Sequence, residues 1–537
     1  MLRKKRARTV LRRREVYPQA VDSGRWRPLC RAAETGRRVA ADVLLDELRG
    51  VLERGTAEDR KIALDELLLA GPRLWLSLDR YARAGTARRA AGGRAEPARA
   101  LPPDADPLRL VLASFDADGR LRQAAVERLA RRSGRFAVAA LALRTDDWVP
   151  AVRDPARAAL LAHVAPDEAA SAVRLLSRLG ARSRSGGVLE EYRAVLREPE
   201  RRRTVRRLAA EPDPHARRFG MGLALELGEY VRGDLARAAL HDRDQECRRL
   251  CARQLLDLDP DQAGRLMWAR SAAVRELAVA ALPDDVPAVR LVAPLADRSR
   301  LVRAQARWKL YKRGEPPVDV YRRQLRRCGR STHPRLVAGL AAGLGECGDV
   351  SDLPALAVLA RDDSWPAVAR RAAVRAIGLL AAGTAPRSGP ERGAAVTGTD
   401  GGAAAGALAE LVGDPVPSVA REALDALAVT WTATPAVLAC AVRRPEPAVW
   451  RAALRASRTL EYFDRLELLL GAAADARPEV AARACEALCE WRRLRWSGGS
   501  VEPDRVERLG TRLRGAGLAE DQHAPLDFLL RALGRRR

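Results

Sequence analysis

The stretch VRELAVAAL at residues 274–282 returns 28 residues later as VRAQARWKL at residues 302–310. In each, a Val opens the stretch, an Ala stands four residues on and a Leu eight residues on. Offsets of 0, 4 and 8 trace one stripe along an α-helix, and the small residue at its centre lets a second helix approach closely. The same phase recurs in LRQAAVERLA from Leu121, VRDPARAALLA from Val152, CRRLCARQLL from Cys247, VARRAAVRAI from Val368, VAREALDAL from Val419, VWRAALRAS from Val449 and VAARACEAL from Val480. Weaker copies begin at Ala216 and Leu336. Position +4 is Ala, Gly or Cys in ten of the eleven copies and position +8 is Leu in eight, so the stripe is a design and not chance. A lone helix of this kind cannot bury its stripe, but stacked neighbours can. A second apolar helix precedes most copies, as in FAVAALALR from Phe136, PAVRLVAPLA from Pro287 and LPALAVLA from Leu353. Each repeat therefore reads as helix, short turn, helix, and the fold class as an all-α solenoid.

The turn carries an acid five residues before position zero at Asp116, Asp147, Glu211, Asp242, Asp297, Asp363, Asp414 and Asp475. An acid there suits the N-terminal end of the following helix, where free N–H groups and the helix dipole favour negative charge. In the first six copies position +1 is Arg: Arg122, Arg153, Arg217, Arg248, Arg275 and Arg303. This pattern resembles the HEAT-repeat family, and particularly its short bacterial form, from about residue 108 to about residue 496. The resemblance implies a right-handed superhelix of about a dozen helix pairs. It also implies a ladder in which turn acid and helix Arg bond within and between repeats, with Asp116, Arg122, Asp147, Arg153, Asp242, Arg248, Asp297 and Arg303 as its members. In later copies position +1 becomes Val337, Ala369, Ala420, Trp450 and Ala481, while Arg moves to +2 at Arg370, Arg421 and Arg451. A re-wired ladder is expected after about residue 336.

Around the repeats the chain divides by composition. Residues 1–36 read as a basic arm, 37–84 as a helical cap and 85–107 as a flexible linker rich in Gly, Ala and Pro. Repeats are expected over 108–382 and 407–496, separated by an insertion over 383–406 that reads as disordered, and residues 497–537 read as a second helical cap.

Aromatic residues are only 4% of the chain, and Ala, Leu and Val supply most of the apolar content, which suits close helix-on-helix packing. The formal charge is +27 and only five of the 96 basic residues are Lys. The preference for Arg matches a GC-rich, bacterial coding bias, but the excess of charge is independent of it and favours an anionic partner. Eight cysteines occur without CxxC spacing. Cys247 and Cys251, like Cys485 and Cys489, share a helix face, yet no His stands near to complete a metal site, so they read as small buried apolar residues of a reduced, cytoplasmic protein. No stretch is long and apolar enough to span a membrane. The basic residues of the N-terminus are not followed by an apolar region, so no signal peptide is read there, while peripheral membrane contact through them stays open.

Positive charge concentrates in residues 1–14, with eight basic residues and no acid, and in 297–335, with thirteen basic and three acidic. Within the latter, Arg322, Arg323, Arg326, Arg327 and Arg330 fall at helical spacings and are the candidate anion-binding stripe. Two turns pair acids with Trp: Asp146, Asp147 and Trp148, then Asp362, Asp363 and Trp365. Some HEAT-like DNA glycosylases use such residues, but here both clusters coincide with the repeat's own turn. The five histidines, at 163, 215, 241, 333 and 523, never precede Glu, which departs from the His-Glu dyads of the two-iron hydroxylases built on this repeat. No phosphate-binding or nucleophile-elbow motif is present. The expectation is a non-catalytic scaffold without a cofactor that binds a macromolecule, foremost a protein, on its concave face. Sequence-independent nucleic-acid binding through the Arg stripe is the alternative, and a DNA glycosylase a remoter one.

Overall fold

The computed structural model describes residues 23–91, 101–179, 186–383, 399–491 and 501–534, and among these are thirty α-helices and no strand. The chain forms two compact units, Met1–Leu258 and Asp259–Arg537.

Unit 1 opens with four helices, α1 (Ser23–Glu34), α2 (Arg38–Arg54), α3 (Ala57–Leu69) and α4 (Pro72–Ala91). Helix pairs follow: α5 (Pro107–Ala113) with α6 (Gly119–Leu129), then α7 (Arg135–Arg144) with α8 (Pro150–Ala162). Next come α9 (Pro166–Leu179), α10 (Val188–Leu196), α11 (Arg202–Ala209) and α12 (Pro214–Glu226), and the unit closes on α13 (Arg232–His241) and α14 (Gln245–Leu258). Unit 2 pairs α15 (Ala263–Leu266) with α16 (Ala272–Ala281), α17 (Ala288–Leu295) with α18 (Arg300–Lys312), and α19 (Pro317–Arg327) with α20 (Pro334–Cys347). It continues with α21 (Leu353–Arg361), α22 (Ala367–Gly383), α23 (Thr399–Leu411), α24 (Pro417–Thr430), α25 (Pro435–Arg443) and α26 (Pro447–Ala456). The last helices are α27 (Tyr462–Ala473), α28 (Pro478–Trp491), α29 (Pro503–Gly515) and α30 (Glu520–Gly534).

Prolines mark the starts. Pro150, Pro214, Pro334, Pro417, Pro435 and Pro447 each stand in the first turn of their helix, where the missing N–H would have no intrahelical acceptor and the fixed φ already suits a helix. Every repeated stretch lies in the second helix of a pair, and its +4 and +8 residues are buried, as Ala125 and Leu129, Ala278 and Leu282, and Ala484 and Leu488 show. The second helices stack on one another in α6 with α8, α12 with α14, α16 with α18, and α20 through α22 and α24 to α26. Small residues permit this. A Cβ added at Gly345 of α20 would lie 2.6 Å from Ala376 of α22, and within a pair one at Gly220 of α12 would meet the backbone of Leu208 and Ala209 in α11.

The stacking changes register within unit 2. Helix α20 packs on α17, α19 and α22. Gly339 lies against the backbone carbonyl of Ala296 at the end of α17, and Gly343 lies against the Tyr321 ring of α19. Between α18 and α20 the bridging contacts are instead ionic, from Arg303 and Arg307 to Glu346.

Three edges differ from the sequence expectation. Helix α1 occupies residues read as arm, because Trp26 and Ala33 bury a face against α2 and α4. Helix α4 runs through Ala91, since the Ala- and Arg-rich start of the expected linker has high helix propensity. Helix α23 starts at Thr399 inside the expected insertion: Ala404, Ala407, Leu408 and Leu411 form a buried stripe that the surrounding Gly and Ala obscure in the sequence. The basic run 1–14 and its membrane contact, residues 92–100 of the linker, 384–398 of the insertion and the Ser497–Gly499 break lie outside the described residues.

Candidate functional site

The arginines at position +1 all bond the same way at one end. The guanidinium of Arg122 donates to the carbonyl of Asp116, Arg153 to Asp147, Arg217 to Glu211, Arg248 to Asp242, Arg275 to Ala269 and Arg303 to Asp297. Each therefore ties the second helix to the turn that precedes it. At the other end several reach the carboxylate of the next turn: Arg122 to Asp147 at 2.9 and 3.0 Å, Arg217 to Asp242, and Arg275 to Asp297 at 2.7 and 2.8 Å. The acids at these turns also accept the N–H two residues ahead, from Val149 to Asp147, Asp244 to Asp242 and Ser299 to Asp297. Arg153 differs and bonds Asp154, next to it on the outer surface. Arg303 turns to Glu346, because the corresponding turn position of the following copy is Ser331 and offers no carboxylate. Beyond residue 336 the wiring runs through other arginines. Arg370 bonds the Ala360 carbonyl and Asp414, while Arg444 and Arg477 reach back to carbonyls of the preceding turn.

In unit 1 this ladder is thickened by a buried charge cluster in which Arg122 and Arg144 both bond Asp147, and Arg144 also bonds Asp79. Burial by itself would raise the Asp147 carboxyl, but hydrogen bonds from Arg122 and Val149 with the charges of Arg144 and Arg122 outweigh it and hold it below the ordinary carboxylate range. Its oxygens are thus occupied by structural partners. Trp148 beside it is exposed and lies 5.9 Å from the Arg122 guanidinium. The second Trp-acid turn belongs to unit 2, where Asp362 accepts the N–H of Ser364 as a turn cap.

The candidate stripe divides on inspection. Arg322 is bonded to Asp349, Ser351 and Asp352, and the Asp352 hydrogen bond pushes its pKa further up. Its charge is therefore matched. Helix α19 ends at Arg327, so Arg330 stands in the following turn and not on the helical face with Arg323 and Arg327. Arg323, Arg326, Arg327 and Arg330 are exposed, but none of the five lines the groove described next.

That groove, of about 910 Å³, lies in unit 2 and runs over α16, the end of α17, the start of α18, and then α20 and α22. Its lining includes eight arginines and two carboxylates, Asp297 and Glu346. Both carboxylates are already bonded, to Arg275 and to Arg303 with Arg307. Arg371 and Arg375 share Glu422. Arg270, Arg290, Arg298 and Arg335 are exposed, and among the described residues no carboxylate bonds them; Arg298 donates only to the carbonyl of Arg270, at 3.0 Å. Between these charges the wall is apolar, with Ala293, Pro294, Val302 and Ala338, and with exposed Val368 and Leu379. Trp268, at the turn that closes α15, is 75% exposed at one end of the groove. The chemistry on offer is anion recognition with an aromatic anchor.

The basic run 297–335 does contribute to the groove, through Arg298, Arg303 and Arg335, but not through the five residues singled out by spacing. Arg270, Arg290 and Trp268 escaped the sequence reading altogether. One signal was present. Arg270 and Arg298 both stand four residues before position zero of their copies, so the repeat phase aligns them.

Among the described residues no three His, Cys, Asp or Glu are placed to hold a metal ion, and no helix is long and apolar enough to cross a membrane. Cys247 and Cys251 are buried, and burial pushes each thiol up to about 12.

No family model and no curated protein matches the sequence. Among solved structures the chain is similar to importin beta at 13% identity and a TM-score of 0.35, covering 95% of this chain and 78% of that one. It is also similar to Kap95p, which binds RanGDP, at 14% identity and 0.37 over 95% and 68%. A third is the Pds5–Scc1 complex, at 10% and 0.28 over 77% and 71%. The chain's own helix pairs, stacked through a stripe of small residues and tied turn to turn by arginine, make each unit an all-α solenoid of HEAT-like repeats.

Proposed function

We propose that this chain is a non-catalytic scaffold that holds a protein partner against the groove of unit 2. The observation that carries this reading is the mixture found there: four exposed arginines without carboxylate partners around an apolar wall, beside an exposed Trp268. Arg, Trp and Tyr are the residues that dominate binding energy at protein interfaces. Unit 2 is rich in them at its surface, with Trp308, Tyr311 and Trp431 each more than half exposed besides Trp268. Against catalysis stands the employment of the acids. Asp297 and Glu346, the two carboxylates in the groove's lining, are each bonded to guanidinium groups as structural partners, which leaves neither free as an acid or base.

The test is affinity purification of the tagged chain from its native cells, with and without nuclease, beside an Arg270→Glu/Arg335→Glu variant. A protein that survives nuclease and is lost with the variant is the expected result. Partners that vanish with nuclease would transfer the groove to nucleic-acid binding. Partners retained equally by the variant would remove the groove from the reading.

A further inference from the structure

Of the arginines without carboxylate partners, Arg270 and Arg298 stand at corresponding places and Arg335 stands at the start of the next second helix. Arg270 is two residues before Ala272, the first residue of α16; Arg298 is two before Arg300, the first of α18; and Arg335 is the second residue of α20. Each therefore adds its charge to the positive end of a helix dipole. They are neighbours in space. Arg298 donates to the Arg270 carbonyl, and Gly339, one helical turn after Arg335, lies against Ala296, two residues before Arg298. Helices packed side by side lie about 8–10 Å apart. An extended chain in the polyproline II conformation rises about 3.1 Å per residue with three residues per turn, so every third side chain lies on one face and falls about opposite the next helix end.

The floor between the charges is built of helices, whose backbone groups are already bonded, so it offers no strand edge for a peptide to pair with. Recognition must then come from side chains: carboxylates for the arginines, and an apolar group for the accessible wall of Ala293, Ala338, Val368 and Leu379 and for the Trp268 ring. Single-stranded nucleic acid would call for a succession of stacking rings along the path. The lining holds one, Trp268.

We propose that the groove of unit 2 takes an extended acidic peptide segment that carries a bulky apolar residue, with its carboxylates on Arg270, Arg298 and Arg335 and the apolar side chain on Trp268. Arg290, on the α17 flank, contributes to the field without a fixed contact. This rests on the scaffold reading above and adds to it the chemistry of the occupant. A folded acidic domain, which could bring the same charges without an extended chain, is an outcome of the test.

The experiment uses the full chain and fluorescence anisotropy at one fixed ionic strength, since exposed charges are screened by salt. The probe is a short labelled peptide with Glu at every third position and a central Leu. Beside it run a copy with Gln for Glu, a copy with Ser for Leu, a copy with the Glu residues clustered at one end, and an oligothymidylate of equal charge. The protein variants are Arg270→Glu/Arg335→Glu, Trp268→Ser, and, as a control of equal charge change on α19, Arg323→Glu/Arg326→Glu. All five substituted residues are exposed, and circular dichroism checks that each variant is folded.

The first peptide is expected to bind and to lose about tenfold or more with the groove variant, while the α19 control changes it little. Trp268→Ser should weaken the Leu peptide and leave the Ser peptide unchanged. Equal loss in the α19 control would reduce the effect to general basicity and overturn the proposal. So would tighter, groove-dependent binding of the oligothymidylate. Equal affinity for the clustered peptide would overturn the register. Failure of every peptide, with a groove-dependent protein partner still recovered from cells, would overturn the extended segment and leave the scaffold standing with a folded acidic partner.

Discussion

At the scale of single residues, two side chains test how the fold uses its unusual positions. Trp431 follows the last residue of α24 in a left-handed conformation, with φ of 60°, and is 54% exposed. A bulky residue there is strained by about 1–2 kcal/mol relative to Gly, which is the usual occupant of such a cap. Trp431→Gly is therefore expected to raise the unfolding free energy measured in urea by about 1 kcal/mol, which would show that the indole is kept for contact and not for stability; a lower value would contradict this. Asp147 is the opposite case, fully buried and bonded to Arg122 and Arg144. Asp147→Ala leaves the buried Arg122 without its carboxylate and Arg144 with Asp79 alone, and a loss of about 3–5 kcal/mol is expected in the same experiment. The carboxyl's folded pKa lies below its unfolded value. Its contribution is accordingly complete above about pH 4 and fades as pH falls through the folded value, so wild type and variant should converge in acid. The thiols give a third test. A thiol-reactive probe on the native chain should label the exposed Cys440 and spare the buried Cys247 and Cys251, whose pKa values near 12 keep them protonated.

At the scale of elements, close approach and capping decide where helices sit. Gly339 and Gly343 bring α20 against Ala296 and Tyr321, and neither place has room for a Cβ. Gly339→Ala is expected to cost about 1–3 kcal/mol through displacement of α20. Gly264, in α15 with nothing within 4 Å of an added Cβ, is the control, and Gly264→Ala should be neutral or stabilising by up to about 1 kcal/mol. At the start of α14, Asp244 accepts the N–H groups of Glu246 and Cys247 and also pairs with Arg218. That hydrogen bond from Arg218 is the main reason its pKa falls to about 2. The folded value is below the unfolded one of about 3.9, so Asp244 stabilises above pH 4 and loses this as pH falls towards 2. Asp244→Asn keeps an oxygen for the cap but removes the charge. Its stability should change less with pH across that window than that of wild type, and a parallel curve would sink the argument. The stripe of small residues and the Pro-marked starts of these helices were legible in the sequence because both depend on local spacing. The register change at α20 was legible only in part. Loss of Arg from position +1 announced a new wiring, but nothing in the spacing names Glu346 as the partner of Arg303.

At the scale of the whole molecule, the charge of +27 was plain from composition, but its useful part was not. Many arginines are consumed by the ladder, by Glu422 and by Asp352, so a run of charge in the sequence does not measure the field at a surface. In the proposed function the groove would bind through what remains. Affinity for an anionic partner should fall as salt rises, and Arg270→Gln/Arg335→Gln should flatten that dependence. Arg323→Gln/Arg326→Gln/Arg327→Gln/Arg330→Gln, which removes more charge from outside the groove, should leave the dependence nearly as steep. A flatter curve from this second set would return the binding surface to α19.

Sequence alone determined the helix pair, its period, its buried stripe and the recurrence of Arg at position +1, because each is a relation between residues a few positions apart; that this Arg ties helix to turn was implied only by the resemblance. Sequence also indicated that the second half of the chain departs from the first. Tertiary structure alone decided which arginines stay unpaired and which share a surface. Arg270, Arg298 and Arg335 are 28 and 37 positions apart in successive steps and meet only because their helices stack, with Gly339 against Ala296. Arg322 is withdrawn only because the turn at Asp349 and Asp352 folds back onto α19. Pairing of charges is settled by proximity across repeats, and a spacing of three and four within one helix carries no information about it.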